Sequence, residues 1–398
     1  LPHDKMKIIF ITGSLEPGRT GVGDYTRLIA KACAGLGHQI QMIGLNDLFL
    51  TNEWEGEMDG IRSLRLPDAL TWEYRWQKAS RFIDKFGPDW ISLQFVPYAF
   101  HPRGFFNQFL DGFSTLARKQ KLHIKFHEIW IGEYPGAPLK ERVVGWLQKR
   151  LILKLLQMTA PKIIHYTNAG SKVRMERAGI IAKYLPIFGN INIAKGKKMD
   201  WLAQQLSLAG KPMSKPSIKR FLWFGFFGSI HPKWPARRIL ERLRMYTNAQ
   251  DKRPGLLHVG IIEKHRNRWK EIQKKYSGDW LIHSLGPQPE DNVSHYLHSL
   301  HFGLTSTPWD LVGKSGTIAA MVEHGLPVII NIDGGTPKAP LVIQEKFMPL
   351  IIRSDEQLLQ NLSRPPKHKP TRLNIITIAE MFIESLEQKR RSTHSLIA

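Results

Sequence analysis

Gly313-Lys314-Ser315-Gly316-Thr317 runs into the apolar stretch Ile318 to Val322 and stops at Gly325-Leu326-Pro327-Val328. An apolar, strand-like run from His301 to Ser306 comes shortly before it. A small-residue turn that carries a lysine and opens a helix gathers backbone N–H groups and a positive helix end around one point. Such a point holds an anion, most naturally a diphosphate.

Outward from this stretch, amphipathic runs of helical length alternate with short apolar runs in both halves of the chain, the pattern of two doubly wound parallel sheets. The expected strands of the first half are 7–12, 38–43, 89–94, 121–127, 162–166 and 182–185. Those of the second are 220–225, 256–260, 280–283, 302–306 and 327–331. A chain of 398 residues suits two domains of about 180 residues each. The expected division is 6–189, a linker at 190–217, 218–370, and a last segment, 371–398. The linker reading rests on Lys195-Gly196-Lys197-Lys198 and on Lys211-Pro212 through Lys215-Pro216, a density of Pro, Gly and Lys that marks exposed chain, with a short helical piece expected around Trp201 to Leu206. A second break spans Ser363 to Pro370.

The one cysteine, Cys33, excludes a disulfide framework or a cysteine zinc site and suits a reducing cytoplasm. No run of 18 or more uncharged apolar residues is present to span a bilayer. Leu1 to Lys5 read as a non-native leader, with Met6 the expected start. Lys and Arg number 57 against 34 Asp and Glu, a balance of +23. Few of these charges are needed for one diphosphate, so the surplus suits anionic headgroups, an acidic glycan or nucleic acid. The basic amphipathic run Leu139 to Leu156 reads equally as a helix lying on an anionic membrane or as a crossover helix with an ordinary apolar face. Trp72, Tyr74, Arg75 and Trp76 likewise suit either ring stacking or packing.

Near the N-terminus, Lys7 to Thr12, then Gly21-Val22-Gly23-Asp24-Tyr25, then Leu28 through Ile40 read as strand, glycine loop, helix and second strand. Together with the turn at 313–317 and the closing G-x-P-V, these resemble the retaining GT4 family of GT-B glycosyltransferases. The resemblance implies two Rossmann-like domains facing across a cleft, with the donor mainly on the second and the acceptor mainly on the first. It also implies that the last helix crosses back to the N-terminal domain.

The loop Gly13 to Gly23 lets backbone approach a phosphate or acceptor at Gly21 and Gly23. It is not a dinucleotide fingerprint, and its alternative is an ordinary turn with Asp24 as N-cap. His127 ends the strand Leu122 to Phe126, and the resemblance places it beside the transferred sugar; otherwise it is an inert, hydrogen-bonded histidine. Phe227-Gly228-Ser229-Ile230-His231-Pro232-Lys233 resembles the family's phosphate-gripping segment, with Lys233 within one position and Ser229 in place of the arginine. Arg237 or Arg238 would compensate, or lie on a solvated helix face.

The family's paired glutamates fall on Val312 and Ala320, neither of which accepts a hydrogen bond, with Asp310 and Glu323 near in sequence. No D-x-D appears, which argues against metal-dependent GT-A chemistry. The expectation is a metal-independent transferase, cytoplasmic or peripheral at the inner membrane surface, needing no cofactor beyond its nucleotide-diphosphate sugar donor. It would act on a glycan or lipid-linked acceptor, with no specific nucleic-acid partner. Lys233, Lys314, Ser315, Gly316 and Thr317 would hold the diphosphate beside Gly228 and Ser229. His127 and Asp24 would serve the chemistry, and the loops Glu53 to Asp59 and Tyr134 to Pro138 would choose the acceptor. The alternatives are a polyanion- or carbohydrate-binding protein on a degenerate scaffold, or a nucleotide-sugar epimerase.

Overall fold

The structure, a computed structural model, describes residues 5–117, 120–134, 136–194, 200–261, 266–332, 340–363, 369–371 and 374–394. Lys195 to Lys198 of the expected linker and Arg364 to His368 of the expected break lie outside the described residues. In chain order the strands are β1 (Lys7–Thr12), β2 (Gln39–Asp47), β3 (Trp54–Met58), β4 (Ile61–Pro67), β5 (Trp90–Phe95), β6 (Lys121–Phe126), β7 (Ile163–Tyr166), β8 (Lys183–Tyr184), β9 (Phe221–Phe227), β10 (Arg253–Val259), β11 (Leu281–Ser284), β12 (Phe302–Pro308), β13 (Val328–Asn331) and β14 (Ile351–Arg353). The helices are α1 (Gly21–Gly35), α2 (Trp72–Phe86), α3 (Asn107–Ala117), α4 (Leu139–Thr159), α5 (Ala169–Arg177), α6 (Trp201–Leu208), α7 (Lys215–Lys219), α8 (Ala236–Ala249), α9 (Arg266–Tyr276), α10 (Glu290–Ser299), α11 (Gly316–Glu323), α12 (Leu358–Ser363) and α13 (Asn374–His394). Among the described residues, no helix is long and apolar enough to cross a membrane.

The chain divides into two compact units, Leu1–Ile187 with Ile375–Ala398, and Phe188–Asn374. Both are α/β units built on parallel sheets. In the first, the sheet order is β3-β4-β2-β1-β5-β6-β7-β8, and the pairing is parallel throughout except between β3 and β4. Helices cover both faces of such a sheet, so its central strands are apolar without alternation; every residue of β5 is buried. Thr20 caps α1 by accepting from the Gly23 amide, and Thr71 caps α2, which Gly87 ends at a left-handed φ of 61°. Ile378, Ala379, Phe382, Ile383 and Leu386 of α13 are buried. The Phe382 ring packs 5.5 Å from Phe10 and 5.0 Å from His123.

The expected loop Glu53 to Asp59 is in fact strand β3, antiparallel to β4. The chain turns between them at Asp59 and Gly60, both at positive φ. Asp-Gly flanked by strand residues is a hairpin signal, local here to an edge of an otherwise parallel sheet. Arg75 and Trp76 of α2 are buried, and the Arg75 guanidinium lies 3.7 Å from the Trp72 ring centre, so this aromatic cluster packs the helix.

The second unit holds a parallel sheet ordered β11-β10-β9-β12-β13-β14. Its strands bury both faces: Trp223, Leu257 and Val328 join one core, and Phe224, Leu256 and Ile329 the other. The segment expected to be exposed linker contributes α6, whose Trp201, Leu202 and Leu206 sit in the first of these cores. Their apolar burial outweighs the flanking Pro, Gly and Lys density that suggested open chain.

Candidate active site

The order of strand addition in the second sheet reverses between β9 and β12, and in open α/β sheets ligands bind beyond the carboxyl ends of the strands at such a point. The two loops that leave β9 and β12 meet there. Gly228 follows β9 at φ +88°, and a Cβ on it would lie 3.0 Å from the Thr317 methyl carbon. Gly260, after β10, presses as closely on the other side: its Cβ would lie 3.1 Å from the Gly228 amide nitrogen. His258 Nε2 lies 2.7 Å from the Gly228 carbonyl oxygen and fixes the turn from below. Ser306 Oγ, at the end of β12, accepts from the His231 amide at 3.0 Å, and His231 Nδ1 accepts from the Lys233 amide at 3.2 Å. Sequence reasoning quoted His231 only as part of the motif and passed over His258 and Ser306; a polar residue ending an apolar strand was the available signal.

Ser315 is the N-cap of α11 and accepts from the Ile318 amide. Its hydroxyl also pairs with Thr317 Oγ1 at 3.0 Å. The amides of Gly316 and Thr317, in the first turn, have no carbonyl within the helix to donate to. Lys314 ends a short 3-10 turn, Trp309–Lys314. Lys314, Ser315, Gly316 and Thr317 are all half-buried, whereas Ser229 and Lys233 are exposed. The structure thus brings Gly228 and residues 314–317 together, joined to Lys233 through His231 and Ser306. Arg237 is exposed and pairs with Glu241 at 3.3 Å, so it occupies a solvated helix face.

Val312 and Ala320 are buried in the apolar core. Glu323 is also buried and turned elsewhere: its Oε1 accepts from the Gly189 amide at 3.0 Å and from Asn374 Nδ2 at 2.6 Å. Burial pushes its carboxyl up to about 7, against the downward pull of those two donors and of Lys346. Asp310 is buried in the 3-10 turn.

In the first unit, the reversal falls between β1 and β5. The glycine loop after β1 is held by Asp47, which accepts from Ser14 Oγ at 2.8 Å and from Arg65 Nε at 2.8 Å; Arg65 in turn bonds Glu16. Gly23 is required for closeness, since a Cβ there would lie 2.5 Å from the Ser14 carbonyl oxygen, whereas Gly21 faces open space. Asp24 is not the N-cap, a place Thr20 takes; its carboxylate accepts from the Gly18 amide at 2.9 Å and meets Arg27 at 3.5 Å.

His127 follows β6 and is buried, its ring edge-on to Tyr25 with 4.8 Å between centres. Its Nε2 lies 2.9 Å from Gln94 Oε1, and the Gln94 amide donates to Ser92 Oγ at 2.8 Å. Because Gln94 thus presents its carbonyl, His127 Nε2 must carry the proton. The line continues inward: Ser92 Oγ to His123 Nδ1 and His123 Nε2 to His165 Nδ1, each at 2.8 Å. Beside it, the buried Lys125 ammonium donates to Tyr25 OH at 2.6 Å and to the Pro186 carbonyl at 3.0 Å. Desolvation holds Lys125 and His123 well below their ordinary ranges, and His165 at about 3. Among the described residues, no group of three or more His, Cys, Asp or Glu is placed to hold a metal ion.

Comparison with solved structures shows that the chain has the GT-B fold. It superposes on HepE from Anabaena in complex with UDP and glucose with a TM-score of 0.61 at 14% identity, covering 96% of this chain and 100% of that one. The catalytic domain of starch synthase IV from Arabidopsis thaliana, bound to ADP and acarbose, gives 0.56 at 10% identity, with 98% and 100% covered. α,α-Trehalose 6-phosphate synthase from Burkholderia multivorans gives 0.56 at 12%, with 99% of each covered. No family model matches the chain, and no curated protein does.

Proposed function

We propose that this chain is a GT4-like, metal-independent glycosyltransferase that moves a sugar from a nucleotide-diphosphate donor to a glycan or lipid-linked acceptor, in the cytoplasm or at its membrane surface. The observation that carries this reading is the meeting of Gly228 with Thr317 at the sheet's point of reversal, ahead of a helix N-terminus and beside Lys314. In transfer, the donor C1–O bond breaks and its electron pair leaves with the diphosphate, while the acceptor oxygen bonds C1 and its proton passes to an oxygen of the departing diphosphate. Stabilising the departing diphosphate is the main electrostatic demand. Lys314, Lys233, Ser315 and the amides of Gly316 and Thr317 meet it, with Gly228 and Ser229 close to the phosphates. His127 contacts the sugar, and Gly21, Gly23 and Asp24 line the acceptor side.

UDP is the first nucleotide to test, because HepE, one of the structures this chain resembles in fold, was crystallised with UDP-glucose. Thermal midpoints with UDP, GDP, ADP and dTDP, and with their sugars, read donor binding by mass action. Lys314→Ala should weaken nucleotide binding by on the order of 1.5 to 3 kcal/mol, the worth of a charge-assisted contact. Unchanged affinity, measured by calorimetric titration, rejects this pocket. The apolar Val312 and Ala320 favour a second reading, a binding protein on the same scaffold. Nucleotide or glycan binding without product from any donor would select it.

A further inference from the structure

Helix α4 and the chain beside it carry a surface that sugar transfer does not require. The helix turns Gly145, Gln148, Ile152, Leu155 and Thr159 inward. Outward it exposes Leu139 (74%), Val143 (52%), Trp146 (52%), Leu147 and Leu153. Lys140, Arg142, Arg150 and Lys154 are interleaved with them, also exposed. An α/β crossover helix normally presents a polar outer face, and contiguous apolar exposure marks an interaction site. The Arg150 guanidinium lies 4.2 Å from the Trp146 ring centre, leaving an aromatic ring and a cation together at the surface.

At the C-terminal end of α4 a cavity of about 740 Å³ opens beside β7 and β8, lined by Leu153, Leu156, Ile163 and Ile180. That volume lies within the range of about 300–1,000 Å³ usual for ligand pockets. Ile181, also lining it, is 92% exposed. Lys162 and Lys183 line the same opening, both exposed, and among the described residues no acidic one does. Leu153 belongs both to the outer face of α4 and to the cavity, so the two form one surface.

We propose that this surface docks on an anionic lipid bilayer, with the apolar side chains of α4 in the acyl boundary, an acyl chain in the cavity, and the lysines and arginines on headgroup phosphates. Charge complementarity selects this occupant. Six exposed basic side chains surround the apolar groups, while of the nearby carboxylates Glu133 pairs with Lys149 at 3.0 Å and Glu141 accepts from Tyr134 OH at 2.7 Å. A second copy of the chain meeting the same face would set those six cations against six like charges. The inference goes beyond the donor reading, since vesicle binding and nucleotide binding are measured separately.

The test is co-sedimentation of the full chain with phosphatidylcholine vesicles prepared with and without phosphatidylglycerol. Binding is expected only with the anionic lipid, and to weaken as salt rises. Trp146→Glu with Leu153→Glu should lower partitioning about tenfold or more, and Ile181→Glu, at the cavity, should lower it as well. Leu208→Glu, at an exposed position of the second unit (83%), should leave it unchanged. All four positions are at least one-third exposed, and unaltered midpoints of both calorimetric transitions verify that each unit of every variant is folded. Equal binding by every variant would assign any membrane affinity to the diffuse charge and overturn the proposal. So would absence of binding by the wild type, or a dimer in sedimentation velocity that the α4 variants split. Loss with the α4 pair but not with Ile181→Glu would overturn the assignment of the cavity.

Discussion

His123, Lys125 and His165 show how a polar strand face becomes interior. In Lys121-Leu122-His123-Ile124-Lys125-Phe126, polar and apolar residues alternate, a pattern that reads as one wet and one dry face. Both faces are dry here, because α13, from the far end of the chain, lays Phe382 over His123. Local sequence carries no sign of that cover, which is why Lys125, Gln94 and the histidine line went unread while His127, at the strand end, was visible. Buried neutral histidines make folding acid-sensitive. Between the ordinary value near 6.5 and about 3, unfolded chain takes up a proton at His165 that folded protein refuses, so stability falls as pH falls through this window. The slope is about 1.4 kcal/mol per pH unit for one proton. His165→Gln should remove about one proton from the pH dependence of urea unfolding between pH about 4 and 6; an unchanged slope would show that His165 titrates normally in the folded state.

At the scale of elements, the strand-end turns were legible because their chemistry is local. The turn at residues 313–317 announced the start of a helix, and the structure makes Ser315 its cap. Partners were not legible. Glu323 in α11 accepts from Gly189 and Asn374, residues close to the two points where the chain passes between units, and no spacing in the sequence links these three. The hairpin β3–β4 and the burial of helix α6 were missed for the opposite reason: local signals, Asp59-Gly60 and the apolar Trp201, Leu202 and Leu206, were present but outvoted by loop-like neighbours. Glu323 gives a pH prediction opposite in sign to that of the histidines. Its folded value of about 7 lies above the ordinary carboxyl value of 4.5, so its favourable contribution is complete below 4.5 and disappears as pH rises through 7. Glu323→Gln keeps a carbonyl acceptor for Gly189 and Asn374 without the buried charge. It should stabilise the second unit by about 1–3 kcal/mol at pH about 8 and have little effect near pH 4. Chemical denaturation at both pH values checks this, and a variant less stable at the higher pH would show that the carboxylate is the favoured form.

For the whole molecule, the units have separate sheets, and the last stretch of chain belongs with the first. Burial of Ile378, Phe382, Ile383 and Leu386 at 1% exposure or less is worth roughly 6–12 kcal/mol at about 1.5–3 per side chain. That equals the typical net stability of an entire domain, about 5–15 kcal/mol. Units with cores of their own can unfold as separate steps, and a ligand shifts only the step of the unit that binds it. Calorimetric scans of the full chain should therefore show two transitions, of which a nucleoside diphosphate raises one. Ending the chain after Asn374 keeps the partner of Glu323 and removes the part of α13 that packs in the first unit. This should abolish the nucleotide-insensitive transition and leave the other in place, still raised by the same nucleotide. Survival of both transitions would mean that the first unit closes its core without α13. Loss of the nucleotide-sensitive one would mean that the second unit depends on chain beyond its own core.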